Sequence, residues 1–399
     1  MTLNWSGKRR WIALVLVLAS LVVMFNWPPV VPVIQLPGEI YPAGEVFGLP
    51  ITNTFAGSVV VWVLILLLIR VVGSRRPRDG GEVPRGGFYN FFELAFEGLY
   101  GFIGGIAPER YLGPIFKMFM TIFIVVLLSN WLELIPGIDS IGFLHANVHK
   151  VDGHVEVLDG FDTATIGGVY YVNGQCPWVS PAEAATMSED ALQARAEAGC
   201  HSGIPAVAET DDHAEATDDE HADEAAGGDH AKEIDYHHLE PGDPSVPWHI
   251  LPYIRVPSTD LNMTLALALI AVAMVQVMGF RALGPGYLTK FFNFSTLFKS
   301  PLGGIDVAVG LLELIGEFAR ILSFAFRLLG NIFAGSILLF VMSFLVPVIV
   351  PWPFFLLEFF VGIIQAIVFG LLTAIFMSLA TVSHHHDEEH HEEAAAGAH

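Results

Sequence analysis

Arg327 lies in Ser323-Phe-Ala-Phe-Arg327-Leu-Leu-Gly-Asn331-Ile-Phe-Ala-Gly335, and no other charge occurs from Leu328 to Leu357. A guanidinium keeps its proton, and holding one at bilayer depth is costly. Its use there is either a structural ion pair with a carboxylate of the same chain or a fixed charge for function. At about 100° per residue, Glu313, Glu317, Arg320, Arg327 and Asn331 share one helical stripe, with Ser323 in the same motif. The stripe climbs roughly 21 Å from Glu313 to Arg327. It must face water, another polar surface or a partner. Arg320 is within reach of Glu313 or Glu317, whereas Arg327 lies beyond easy reach of both. Glu358 and Gln365 follow on nearly one face of the next segment, about 10 Å apart in height. An intramembrane Glu is a functional candidate by default. The alternatives are a wet position for Glu358 beside Pro351-Trp352-Pro353 and an interhelical hydrogen bond for Gln365.

Composition and hydropathy put these groups on membrane helices. The chain is 53% hydrophobic and only 15% charged, with a mean hydropathy of +0.55, which describes a polytopic membrane protein. Candidate spans are 11–27, 53–73, 112–136, 260–281, 305–347 and 353–383, most reaching the roughly 20 residues needed to cross a bilayer. The fifth is much longer and must tilt, bend or leave the membrane. The expected fold is all-α: five core transmembrane helices, the last two a long tilted hairpin, plus an extra N-terminal hydrophobic segment. That segment, within 1–27, reads equally as a signal peptide or a signal anchor after Lys8-Arg9-Arg10.

Residues 28–136 form an N-terminal membrane part with two transmembrane helices, and 86–108 read as an amphipathic helix along the inner face. Lys8 to Arg10, the arginines from Arg70 to Arg85, and Arg281, Lys290 and Lys299 fall on one side if every span crosses. Positive charge makes that side cytoplasmic and places the C-terminal tail, 384–399, there as well. Residues 137–259 are then extracytoplasmic. They hold 23 Asp and Glu against 4 Lys and Arg, most of the net charge of −22.

The middle of that loop, Ala206 to Asp243, is low in complexity and expected to be disordered. Its Cys176 and Cys200 are the only cysteines; they can form a disulfide, but spacing alone does not establish one. All sixteen histidines lie in the loop and tail; imidazole and carboxylate there suit Zn²⁺ or similar ions, but no fixed ligand spacing appears, so a solvated face is expected and no resident metal or cofactor is assigned. The acidic balance excludes nucleic-acid binding, and no G-x₄-G-K-[ST] loop is present to hold a nucleotide.

Two further polar motifs flank the spans. Asn130-Trp-Leu-Glu133-Leu-Ile-Pro136 ends the third. Arg255-Val-Pro257-Ser-Thr-Asp260-Leu-Asn262-Met-Thr264 opens the fourth; there Asp260 suits a helix cap, which leaves Asn262 and Thr264 less well explained.

Together these motifs resemble subunit a of the F-type ATP synthase, the stator subunit beside the rotating c-ring. The resemblance is strongest over 305–383, through the Arg327 motif and Ile-Gln365-Ala-Ile-Val-Phe, and it is supported by the motifs around Asn130 and Asp260. It implies a non-catalytic, proton-conducting subunit in a bacterial inner membrane. The implied partners are c-ring subunits, b-type peripheral stalk subunits, the ATPase head through the stalks, and the lipid bilayer. It implies that Arg327 faces the c-ring carboxylate. Asn130, Glu133, Asp260, Asn262, Glu358 and Gln365 would line an extracytoplasmic half-channel, and Glu313 and Glu317 a cytoplasmic one, with Ser323 and Asn331 adjoining. The chain departs from the family at Ser336, where many relatives place an ionisable side chain, and in its acidic loop and N-terminal segment.

A secondary cation or metal transporter with a His-rich gathering loop is the competing reading. It predicts mid-membrane soft ligands and an internal repeat, neither of which the sequence contains, and Arg327 would repel a cation.

Overall fold

The structure, a computed structural model, describes residues 38–46, 49–74, 88–135, 137–151, 154–157, 160–200, 242–243, 246–291, 303–345 and 350–382, with scattered positions in 11–22. Most of the N-terminal segment, the low-complexity middle of the loop and the 384–399 tail lie outside the described residues.

Among the described residues, six long helices can be followed: α1 (Asn53–Ser74), α2 (Phe88–Gly104), α3 (Leu112–Leu132), α4 (Leu261–Leu283), α5 (Gly303–Leu345) and α6 (Pro351–Ala380). All but α2 belong to the five stretches long and apolar enough to cross a membrane. The expected all-α polytopic membrane part is therefore present. Helix α5 has 43 residues, or about 65 Å, roughly twice the hydrocarbon thickness.

The described chain divides into two compact units. One is the helical unit, residues 34–139, 253–342 and 350 onward. Its core joins α3, α4, α5 and α6 through Ile122, Val126, Ala268, Ala271, Phe324, Ala325, Leu328, Ala366 and Phe369. Alanines at these crossings let the backbones approach, which is how helices associate where lipid is as apolar as leucine. Gly370 serves the same end: a Cβ there would meet the Phe119 ring at 2.9 Å and its carbonyl at 3.3 Å. Trp131 stacks on Phe359 with centroids 4.8 Å apart, pinning the end of α3 to α6. A hairpin of β1 (Ile40–Val46) and β2 (Leu49–Thr52) precedes α1.

The other unit centres on residues 140–252. Its strands are β3 (Gly142–Ala146), β4 (Val148–Val151), β5 (His154–Val157), β6 (Phe161–Ile166), β7 (Val169–Pro177) and β8 (Trp248–Pro252). Four of them form a sheet in the order β3-β8-β6-β7. Cys176 and Cys200 are joined in a disulfide that ties β7 to the third residue after a short helix, Glu189–Glu197. This β-structure was not anticipated from the acidic composition of the segment.

Candidate functional site

Two helices, α3 and α6, bring polar groups to one place beside α5. Asn130 and Glu133 come from the end of α3, where Glu133 is the C-cap residue. Glu358 and Gln365 come from α6, and all four are buried. Asn130 lies against Gly362, since a Cβ at that glycine would be 3.3 Å from the Asn130 Cβ. Gly362 is one turn from both Glu358 and Gln365, so Asn130 sits level between them. Gly335 on α5 admits the Glu358 carboxyl group: a Cβ there would lie 2.5 Å from its Cδ and 2.6 Å from its Oε1. The next residue, Ser336, donates a hydrogen bond to Glu133. Two carboxyl groups from different helices thus converge on consecutive residues of α5.

Several polar atoms at this place are buried without a protein hydrogen-bond partner. They are both amide atoms of Asn130, Glu358 Oε1, Gln365 Nε2 and, further along α5, Asn331 Nδ2 and Arg327 Nη1. Such an atom costs about 1–3 kcal/mol if nothing satisfies it. A cluster of them is a place that water or a partner must enter.

Arg327 lies two turns before Gly335, about 12 Å along the axis. Among the described residues it forms no ion pair, so the self-paired structural alternative finds no support. It is half-buried at the border of two faces of α5. On one side the helix packs through Phe324, Leu328 and Leu329. On the other, Gly316, Ala319, Ser323, Gly330 and Ala334 are exposed. This narrow face of small residues would let another helix come close to the guanidinium.

Glu317, roughly 15 Å from Arg327 on the opposite side from Gly335, binds Arg320: Arg320 Nη1 donates to both carboxylate oxygens at 2.7 Å. The Arg320 guanidinium lies 3.9 Å over the Phe376 ring. Glu313, one turn earlier, is half-buried.

The remaining candidates stand apart. Asp260 caps α4, accepting from the Asn262 backbone N–H at 2.9 Å and from Thr54 Oγ1 at 2.7 Å. The side chains of Asn262 and Ser323 are exposed, outside the buried cluster. The sequence reading passed over Gly335, Gly362 and the contact made by Ser336. It also read the polar stripe of α5 without the small-residue face beside it, although the spacing of Gly316, Ser323 and Gly330 carried that signal.

Comparison with known proteins points the same way. Residues 244–378 match the family described as ATP synthase A chain. Proteins named ATP synthase subunit a from Campylobacter jejuni subsp. doylei and Helicobacter acinonychis are 34% and 35% identical, over 33% and 34% of this chain and 56% and 57% of their own lengths. One from Helicobacter pylori is 36% identical over 34% of this chain and 57% of its own length. The chain thus spans little more than half the length of these relatives. The matched stretch, residues 244–378, is the one that carries Arg327, Glu358 and Gln365, and over it the chain is similar to the ATP synthase A chain family.

Proposed function

We propose that the chain is the proton-conducting stator subunit of an F-type ATP synthase, lying beside a ring of c-subunits and held by a b-type peripheral stalk to the ATPase head. The observation that carries this reading is Arg327: a permanent cation, unpaired among the described residues, bordering an exposed small-residue face of a membrane helix. Such a charge is costly unless a carboxylate of a partner reaches it.

The polar cluster of Asn130, Glu133, Glu358 and Gln365, extended by Asn331, is the inlet half-channel from the extracytoplasmic side, with Asp260 and Asn262 nearer its mouth. Glu313 and Glu317 serve the outlet toward the cytoplasm. A rotor carboxyl group approaching Arg327 is held in its ionised form by the cation and so gives up its proton to the outlet. After passing Arg327 it is reprotonated from the inlet and can turn back into lipid as a neutral acid. The fixed charge also keeps a proton from passing straight between the half-channels. Each elementary charge crossing 100 mV releases about 2.3 kcal/mol, so such a leak would uncouple flow from rotation. The subunit itself makes and breaks no covalent bond; nucleotide chemistry belongs to the head. The matching segment in proteins named ATP synthase subunit a supports this role.

The test is ATP-driven acidification of inverted membrane vesicles carrying the native chain or Arg327→Ala. Loss of acidification with the complex still assembled is expected. Undiminished pumping would make Arg327 structural and refute the proposal.

A further inference from the structure

The β-unit carries a feature for which ion conduction has no use. Strands β6 and β7 pair along their length, yet β6 meets β8 only at Phe161 opposite Trp248. Past that point β6 and β7 pair only with each other, as a two-stranded arm with Gly242 lying against Thr163 and Tyr170. Its outer pairs are Thr163 with Val172, Ala164 with Tyr171, Thr165 with Tyr170 and Ile166 with Val169, a projection of roughly 13 Å. Gly167 and Gly168 close it with φ of +59° and +84°. A two-residue type I′ turn requires that pair of positive φ values, which is why both are glycine. The turn fixes the register, so Ile166 and Val169 form the tip.

Every residue from Thr165 to Tyr171 is exposed. Ile166 is 70% and Val169 69% exposed, and Tyr170 and Tyr171 stand just behind them. A two-stranded ribbon is marginal in water by itself, and an apolar tip makes it more so. The arm is also chemically unlike its surroundings. No charged residue occurs from Thr163 to Gln175, within a segment that otherwise carries 23 acidic residues against 4 basic ones.

We infer that this arm dips Ile166 and Val169 into the lipid interface, with Tyr170 and Tyr171 at the level of the headgroups. The segment is tethered to membrane helices at both ends, α3 before it and α4 after it, so a bilayer is held at high effective concentration. Tyrosine behind an apolar tip is the pattern that settles at a membrane–water boundary. Charge selects the contact point: the acidic remainder is repelled by anionic lipid, and the uncharged arm is not. Area argues against a protein occupant. Four side chains fall well short of the roughly 800 Å² per partner of a stable protein interface.

The experiment places the photoreactive residue benzoylphenylalanine at Ile166 in the full-length chain, reconstituted into phosphatidylcholine vesicles. A matched variant carries it at Ala194, which is exposed on the Glu189–Glu197 helix of the same unit. After irradiation, adducts are identified by mass spectrometry. The expected result is lipid adducts at position 166 about tenfold more abundant than at position 194, as interfacial burial of the tip requires. Equal lipid labelling at the two positions, no adduct at 166, or adducts at 166 chiefly to a second copy of the chain would each overturn the inference. The same variant in the assembled complex extends the test, where an adduct chiefly to another subunit would overturn it too.

Discussion

Replacing Gly335 by alanine separates the proposed ion path from the fold in a single methyl group. A Cβ at that position would lie 2.5 Å from Glu358 Cδ and 2.6 Å from Oε1, where carbon and its neighbours prefer about 3.5 Å. The Glu358 carboxyl group must therefore retreat by roughly 1 Å. It is the free end of a flexible side chain, so the retreat is cheap for folding, and the stability change should stay below about 1 kcal/mol. Proton transfer is less tolerant, because a misplacement of about 1 Å can cost up to a hundredfold in rate. Gly370→Ala is the contrasting change. Its Cβ would meet the Phe119 ring at 2.9 Å and the Phe119 carbonyl at 3.3 Å, and backbone cannot step aside. Overpacking of that kind costs about 1–3 kcal/mol and loosens the α3–α6 crossing. Vesicle acidification is measured beside the amount and thermal midpoint of the assembled complex. Gly335→Ala should assemble normally and pump at least about tenfold more slowly, while Gly370→Ala should lose stability. Normal pumping by Gly335→Ala, or a loss of assembly matching that of Gly370→Ala, would refute the placement of Glu358 on the path.

Three further outcomes follow from the contacts. Serine at both Cys176 and Cys200 opens a link between residues 24 apart in sequence; the β-unit should lose about 3 kcal/mol, seen as faster proteolysis of the 140–252 segment with helical content unchanged. Glu317→Gln takes the charged partner from Arg320 and should cost about 1–3 kcal/mol, read as a lower thermal midpoint of the assembled protein. Asp260→Ala removes an N-cap and the acceptor for Thr54, a loss of about 0.5–2 kcal/mol that Asp260→Asn should largely restore, since asparagine caps as well as aspartate.

The features legible in the amino-acid sequence are those that depend on local composition and periodicity. Runs of about 20 apolar residues can only cross a bilayer as helices, because every backbone polar group there must be satisfied within the segment; this made α1, α3, α4, α5 and α6 legible. Helical spacing likewise put Glu317 within reach of Arg320, and a cation with no local carboxylate marked Arg327. Tertiary structure alone decided which distant residues meet. No periodicity relates Glu133 to Ser336 or Glu358 to Gly335, because those encounters depend on how α3, α5 and α6 cross. The same holds for the β-unit: an acidic, turn-rich sequence hides its strands, since strand pairing between β3 and β8 joins residues about a hundred positions apart and is set by packing rather than by any local preference.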